Sequence, residues 1–136
     1  YKHPKGQASL LFGKPGLAYV YFIYGMYYCL NVVSEAEGRA GAVLIRALQP
    51  AEGPQSPKQA LLKTNGPGRL CKALGITKAL HNKCNLTQSN SPLFLAPAPM
   101  AISALTIVET TRIGISAAQD WPWRFYVKNN PWVSVP

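Results

Sequence analysis

Five tyrosines lie in the uncharged run 19–31, YVYFIYGMYYCLN, and one of them stands in the turn-prone triplet Tyr24-Gly25-Met26. An aromatic ring on the tip of a tight turn can insert between stacked bases, as the apolar wedges of minor-groove proteins do. The more common role of a tyrosine in an apolar run is to pack in the core, and the residues alone favour that role for Tyr24. The run therefore indicates either a core hairpin or a hairpin that contacts nucleic acid.

Alternation along this run predicts a β-hairpin rather than one long helix. Tyr19 and Tyr21 occupy alternate positions, so they share one face of a strand while the residues between and beside them share the other. Gly25 permits a tight turn, and the aromatic and β-branched residues of 27–33 resume an extended pattern. A polar turn and a third apolar strand over 41–48 complete a predicted antiparallel meander.

The rest of the chain is predicted to form loops, one short helix and three short strands. A helix is predicted over 66–76, because Pro67 suits the first helical position and Gly75 suits a stop. Residues 52–65 predict a loop with room for a short helix, and the Ser- and Pro-rich stretch 85–104 predicts another loop. Strands are predicted at 105–108, 113–115 and 123–127.

The length and charge of the chain restrict the classes of protein to which it can belong. Its 136 residues fit one domain with a core of its own. Fourteen Lys and Arg against five acids give a formal charge of +9, and no acid occurs between Glu52 and Glu109. Such a basic stretch attracts polyanions, so nucleic acid is the leading partner class. A solvated basic surface without a partner and a membrane surface are the alternatives.

A membrane span, a disulfide framework and a metal site are each poorly supported. The uncharged stretch 15–34 approaches the length of a span, but tyrosines through its centre and Asn31 oppose that interpretation. The amino terminus shows no signal peptide, so the chain is expected to be soluble. The three cysteines form no CxxC pair, which favours a reducing compartment. Cys71, His81 and Cys84 lack an obvious fourth ligand, so no metal is expected.

Five segments, taken together and in order, resemble the alkyladenine (3-methyladenine or 3-methylpurine) DNA glycosylases: YVYFIYGMYYCLN, VLIRAL, NGPGRLCKALGI, TRIGIS and WPWRFYV. The resemblance covers most of the chain. It implies a mixed α/β fold, with residues 1–136 as one domain around a curved antiparallel sheet, a protruding hairpin that enters the DNA minor groove, and short helices. It implies base-excision repair, in which alkylated purines are flipped out of duplex DNA and removed by hydrolysis without metal or cofactor.

The resemblance also assigns roles to particular residues. Tyr24 corresponds to the wedge that fills the gap left by the flipped nucleotide, and Tyr21 to the aromatic residue that stacks on the flipped base. Asn31 corresponds to the pocket residue that disfavours the exocyclic amino group of guanine, although the residues alone favour a satisfied strand amide. Arg46 and the backbone carbonyl of Ile113 would hold the attacking water. The DNA-contacting positions are Gly25, Met26, Tyr27, Gly66, Gly68, Arg69, Lys72 and Gly114. Packing is the alternative role for Tyr27 and Tyr28.

One element of the family pattern has no counterpart in this sequence. In the family a glutamate in a strand before the hairpin activates the water, and by the resemblance this chain starts after that strand. Ile107–Thr110 copies the strand superficially but leads into a C-terminal motif, so Glu109 is not assigned as the base. We therefore expect a chain that is truncated at its amino terminus and inactive as given, part of a glycosylase or else a non-enzymatic lesion-binding module. We expect a monomer, in the cytoplasm or nucleoid of a bacterium or the nucleus of a eukaryote.

Overall fold

The computed structural model describes residues 6–50, 63–98 and 102–135, and the chain divides into two units, Tyr1–Ala96 and Pro97–Pro136. The first unit contains a 3₁₀ helix (Gly6–Phe12), strands β1 (Ala18–Ile23), β2 (Tyr27–Val33) and β3 (Ala42–Leu44), and helices α1 (Pro67–Ala73) and α2 (Lys78–His81). The second contains a 3₁₀ turn (Ile102–Ala104) and strands β4 (Ile107–Thr110) and β5 (Arg124–Val127).

Within the described residues, the strands form two antiparallel sheets, one in each unit. The order in the first sheet is β1-β2-β3, and β4 pairs with β5 in the second. Together with the short helices, these sheets confirm the predicted mixed α/β fold. That residues 1–136 form one domain stays a prediction.

The register of the β1–β2 hairpin confirms the alternation predicted from the sequence. The turn is centred on Gly25, so residues at equal distances before and after it are paired, Val20 with Leu30 and Tyr21 with Cys29. Because side chains alternate across a strand, Val20 and Leu30 share one face of the sheet and Tyr21 and Cys29 the other.

The core of the first unit lies on the face that carries Val20 and Leu30. These two side chains pack with Ala18 and with residues from α1 and the segments after it. The contribution of α1 is Leu70, which is fully buried, whereas Leu74 one turn later is 46 % exposed. Four core residues come from α1 and the segments after it, and all are almost completely buried: Leu70, Cys71, Ile76 and Leu86.

Helix α1 confirms the predicted helix over 66–76, with bounds that are slightly narrower. Pro67 takes the first helical position after Gly66, and the backbone NH of Leu74 donates to the carbonyl of Leu70 at the end of the helix. The following helix, α2, was not predicted from the sequence. It begins at a local cap, because the Thr77 hydroxyl accepts a hydrogen bond from the NH of Leu80 at 3.3 Å.

The third predicted strand is shorter than expected, since 41–48 was predicted and only Ala42–Leu44 forms. After β3 the NH of Ile45 still donates to the carbonyl of Leu30, but the NH of Leu48 donates to Thr64 instead. The chain therefore leaves the sheet between these two positions.

The prediction of a strand at 113–115 is wrong. This stretch belongs to a loop between β4 and β5 that forms its own hydrogen bonds: the Arg112 NH donates to the Gln119 carbonyl at 3.2 Å, and the Gln119 side chain donates to the Ile115 carbonyl. The strands predicted at 105–108 and 123–127 are present with shifted bounds, as β4 and β5.

Only part of each predicted loop lies within the described residues. Most of the predicted loop 52–65 lies outside them. In the loop predicted over 85–104, residues 85–98 contain no helix or strand, but the 3₁₀ turn Ile102–Ala104 lies near its end. The 3₁₀ helix Gly6–Phe12 was not predicted.

Candidate site on the β1–β2 hairpin

The tip of the β1–β2 hairpin carries an exposed tyrosine on a left-handed backbone. Tyr24 has φ +54° and Gly25 has φ +66°, and the NH of Met26 donates to the carbonyl of Ile23 at 3.3 Å. Two consecutive residues of the three-residue turn 24–26 therefore lie in the left-handed region of backbone conformation. Glycine adopts this conformation freely, whereas a tyrosine does so at an energetic cost.

Tyr24 is 80 % exposed, so the alternative that this tyrosine packs in the core is wrong. Met26, in the same turn, is exposed as well. The next residue, Tyr27, is half-buried against α1, and the ring of Tyr28 lies 5.0 Å from that of Phe22. The two tyrosines after the tip therefore pack, and Tyr24 is the one that projects.

A row of polar and aromatic side chains crosses the face of the sheet opposite Val20 and Leu30. Tyr21 is directly opposite Cys29, and Tyr19 is directly opposite Asn31. The rings of Tyr19 and Tyr21 lie 5.5 Å apart at an angle of 37°. The structure thus brings together the two residues expected to contact the base, Tyr21 and Asn31, on neighbouring strands.

Asn31 is held by the neighbouring strand. Its side chain is only 8 % exposed, and its Nδ2 donates to the Tyr19 carbonyl at 3.2 Å. The alternative favoured by the residue types alone was an amide whose hydrogen bond is satisfied within the sheet, and this bond agrees with it. The bond also fixes the orientation of the amide relative to Tyr21. The role of Asn31 in the base pocket stays a prediction.

Cys29 is a member of this row that the sequence reasoning missed. Its thiol is buried and has a raised pKa because burial disfavours the thiolate, an effect that a hydrogen bond from the Tyr21 side chain and the charge of Arg46 oppose. The thiol is therefore neutral at physiological pH. The signal for Cys29 was present in the sequence, since a turn centred on Gly25 pairs the residues four positions before and after it.

Arg46 reaches this face from the segment that follows β3. Leu44, the last residue of β3, pairs with Asn31, and Arg46 is two positions further along. Its side chain is half-buried and lies close enough to Cys29 to act on its thiol electrostatically. The predicted partner of Arg46, the carbonyl of Ile113, belongs to the loop of the second unit, so their pairing stays a prediction. Gly114 in the same loop is exposed.

The predicted DNA-contacting residues of α1 lie beside the hairpin. Gly68 permits this approach, because a Cβ at that position would lie 2.9 Å from Cγ of Tyr27. Arg69 and Lys72 are both exposed, and Nη2 of Arg69 donates to the carbonyl of Asn65 at 2.9 Å. A groove of about 400 Å³ between the hairpin and α1 is lined by Met26, Tyr27, Tyr28, Gly68, Cys71, Lys72, Gly75, Ile76 and Thr77.

The acids offer no evident general base on the hairpin. The strand residues that share the face of Tyr21 include no acid. The side chain of Glu35 packs on Gly41, and Glu109 is exposed on β4 opposite Phe125. Glu37 and Asp120 are exposed too, and Glu52 lies outside the described residues.

The residues considered as metal ligands have other contacts. Nδ1 of His81 accepts from the NH of Thr77 at 3.2 Å, the Cys84 thiol lies 3.5 Å from the Leu80 carbonyl, and Cys71 is buried in the core. Within 6–50, 63–98 and 102–135, no three His, Cys, Asp or Glu residues are grouped to hold a metal ion. In that same part of the chain, every helix is too short or too polar to cross a membrane.

These features describe a small basic α/β protein whose sheet presents an aromatic-tipped hairpin beside a basic helix. A family model described as methylpurine-DNA glycosylase matches residues 1–131. The chain belongs to this family.

Curated bacterial relatives carry the name "Putative 3-methyladenine DNA glycosylase". The chain is 43 % identical to the protein of Clostridium tetani, with 91 % of this chain and 68 % of the relative covered. It is 43 % identical to that of Legionella pneumophila strain Corby (94 % and 66 %) and 46 % identical to that of Rhodopseudomonas palustris (94 % and 64 %). The chain thus spans about two thirds of the length of these relatives.

Proposed function

We propose that the protein to which this chain belongs is a base-excision DNA glycosylase that flips alkylated purines of the 3-methyladenine type out of duplex DNA and hydrolyses their N-glycosidic bond. The observation that carries the proposal is the projecting ring of Tyr24, on a hairpin tip of a chain that belongs to the methylpurine-DNA glycosylase family. The name of the relatives supports the choice of lesion.

Recognition would begin with the backbone of the duplex. The formal charge of +9 and the exposed Arg69 and Lys72 attract phosphates and release their counterions. Because α1 packs beside the hairpin, these two cations would hold the backbone while Tyr24 enters the minor groove. The ring of Tyr24 would then replace part of the stacking lost when the damaged nucleotide leaves the helix.

The flipped base would stack on Tyr21. An alkylated purine is electron-poor, and an electron-rich phenol ring attracts it in the manner of a cation–π contact. Asn31 lies on the neighbouring strand with its amide already fixed by Tyr19, so it would test the edge of the base rather than its face. A normal guanine would be rejected at this edge through its exocyclic amino group.

Removal of the base requires an activated water that attacks the sugar carbon as the base departs. Arg46, which follows β3 and acts electrostatically on Cys29, would orient this water together with the carbonyl of Ile113. Hydrolysis by water needs no cofactor, but it does need a general base such as a carboxylate. We assign none of the five acids of the chain to that role, so the 136 residues alone are expected to bind lesions without excising them.

A paired assay of binding and excision tests the proposal. The full-length protein and the 136-residue chain are each incubated with duplexes that contain hypoxanthine or ethenoadenine, and alkali then cleaves the strand at abasic products. We expect excision by the full-length protein only, and preferential binding of the damaged duplex by both. Tyr24→Ala is expected to weaken binding of the damaged duplex by about 1–3 kcal/mol, because the inserted ring is lost. Phe94→Ala, which removes another exposed aromatic side chain of the first unit, is the control and should bind like the parent.

Each alternative has its own result in this assay. Excision by the 136-residue chain would show that one of its own acids is the base. Selective binding without excision by the full-length protein would favour a non-enzymatic module. Equal affinity for damaged and intact duplexes would contradict lesion recognition altogether.

A further inference from the structure

We propose that Cys29 is a positioning residue for Tyr21: its buried sulfur accepts a hydrogen bond from the tyrosine hydroxyl and holds the ring in the orientation in which it stacks on a purine. This inference rests on the proposed function and concerns how the stacking surface is prepared. It assigns a role to a side chain that the family resemblance did not single out.

The register of the hairpin places the two side chains together. Tyr21 and Cys29 are direct cross-strand partners on one face, a position in which side chains of neighbouring strands are in contact. Cys29 is 4 % exposed, whereas Tyr21 is only half-buried. The cysteine is therefore the fixed member of the pair and the tyrosine the member that needs fixing.

The ring of Tyr21 is restrained at two places. Along its side it contacts the ring of Tyr19 at 5.5 Å, and Tyr19 is itself tied to β2 because its carbonyl accepts from Asn31. At its polar end the hydroxyl is near the buried thiol of its cross-strand partner Cys29, whose pKa it lowers as a hydrogen-bond donor does. A ring held at its side and at its end presents one defined face, which reduces the entropy lost when a base stacks on it.

The chemistry of the sulfur suits this role. Burial raises the pKa of the Cys29 thiol, so the group stays neutral despite the nearby Arg46. A neutral thiol accepts a hydrogen bond without placing a negative charge beside the base, and it has little nucleophilic character. Cys29 can thus orient Tyr21 without taking part in the reaction itself.

Lesion discrimination, measured as the ratio of Kd values for an intact duplex and for one that carries ethenoadenine, tests the inference in the full-length protein. We expect Cys29→Ala and Tyr21→Phe each to lower this ratio by about 2- to 10-fold, the range of one net hydrogen bond. Because they remove the same bond, the double variant should be no worse than either single variant. Cys29→Ser, which restores an acceptor, should return to within about twofold of the parent.

Two further measurements separate positioning from stability. Fluorescence of the ethenoadenine reports its stacking on the ring, and we expect Cys29→Ala to change the emission of the bound duplex while Cys29→Ser does not. Cys84→Ala is the control, because the Cys84 thiol lies against a backbone carbonyl of α2. It should lower thermal stability at most and leave the discrimination ratio unchanged.

The results that overturn the inference differ from those that overturn the proposed function. Parent-like discrimination by Cys29→Ala, or independent effects that multiply in the double variant, would remove Cys29 from the positioning role while leaving Tyr21 in place. If Cys29→Ala does not fold, Tyr21→Phe with unchanged discrimination would have the same meaning. Unchanged discrimination by Tyr21→Ala would contradict the stacking role of Tyr21, and with it the proposed function.

Discussion

Replacing Tyr24 by glycine should raise or preserve the stability of the fold and at the same time weaken DNA binding. The two effects have opposite signs because the backbone of Tyr24 is left-handed while its ring projects into solvent. A structural tyrosine would give effects of the same sign. The substitution therefore separates a residue kept for binding from one kept for packing.

The expected stability change follows from two terms. A left-handed conformation costs a side chain-bearing residue about 1–2 kcal/mol, and glycine removes this cost. Glycine in turn loses about 0.5–1 kcal/mol through the greater freedom of the unfolded chain. Since Tyr24 is 80 % exposed, removal of its ring costs little packing. The net change in the free energy of unfolding is thus between zero and about +1.5 kcal/mol.

The expected loss of affinity follows from stacking. An aromatic side chain that stacks on bases contributes about 1–3 kcal/mol, which corresponds to roughly a 5- to 150-fold increase in Kd. The assay is fluorescence anisotropy with a duplex that contains an abasic-site analogue, alongside urea denaturation of the same proteins. Tyr24→Phe is the matched control, because it keeps the ring and should bind within about twofold of the parent.

Two results would refute this reasoning. A Tyr24→Gly protein that binds the abasic duplex as tightly as the parent would exclude Tyr24 from the wedge role. A fall of more than about 1 kcal/mol in the free energy of unfolding would show that the ring or its backbone stabilises the fold after all.

Three further results are expected. Lys72→Gln should weaken binding to all duplexes and reduce the salt slope of log K by about 0.9 in titrations between 50 and 200 mM salt. Lys14→Gln is the control and should leave the slope unchanged, because Lys14 is exposed and precedes β1, whose first residue is at the end of the hairpin opposite the tip. Burial raises the pKa of the Cys71 thiol from its ordinary value of 9.0 to about 11, so the folded state holds its proton more tightly and the free energy of unfolding should fall as pH rises from 9.0 to about 11. Cys71→Val should remove this component, and an unchanged pH dependence would contradict it. Leu70→Ala should cost about 2–5 kcal/mol of stability and Leu74→Ala less than about 1 kcal/mol in urea denaturation, since only Leu70 is fully buried; equal costs would contradict the packing of α1.

The parts of the fold that could be predicted from the sequence are those governed by local patterns. Period-two alternation around Gly25 predicted the hairpin. A proline suited to the first helical position, followed by a glycine suited to the end of a helix, predicted α1. The prediction of a strand at 113–115 was wrong. The apolar residues there have the local pattern of a strand, but the backbone groups of this region form hydrogen bonds within a loop. Which backbone groups pair over a distance is set by the tertiary structure, and a single sequence carries little of that information.

Some features of the candidate site could likewise be predicted from the sequence, and others could not. The exposed position of Tyr24 and the shared face of Tyr21 and Asn31 follow from a hairpin whose turn is centred on Gly25. The proposed role of Cys29 depends on its cross-strand pairing with Tyr21, which requires the register as well as the residue types. The approach of α1 to Tyr27, made possible by Gly68, is a contact between elements about forty residues apart and could not be read from either segment.

Core and site are specified by one register. Val20 and Leu30 are directly opposite each other and are buried in the core, so any slip that exposed them would be costly. A shift of one residue in a strand moves every side chain to the other face. The same slip would turn Tyr21 towards the core and separate it from Cys29. Packing of the core therefore also selects the face on which the polar and aromatic row is displayed, so a mutation that shifts the register should impair lesion discrimination and stability together.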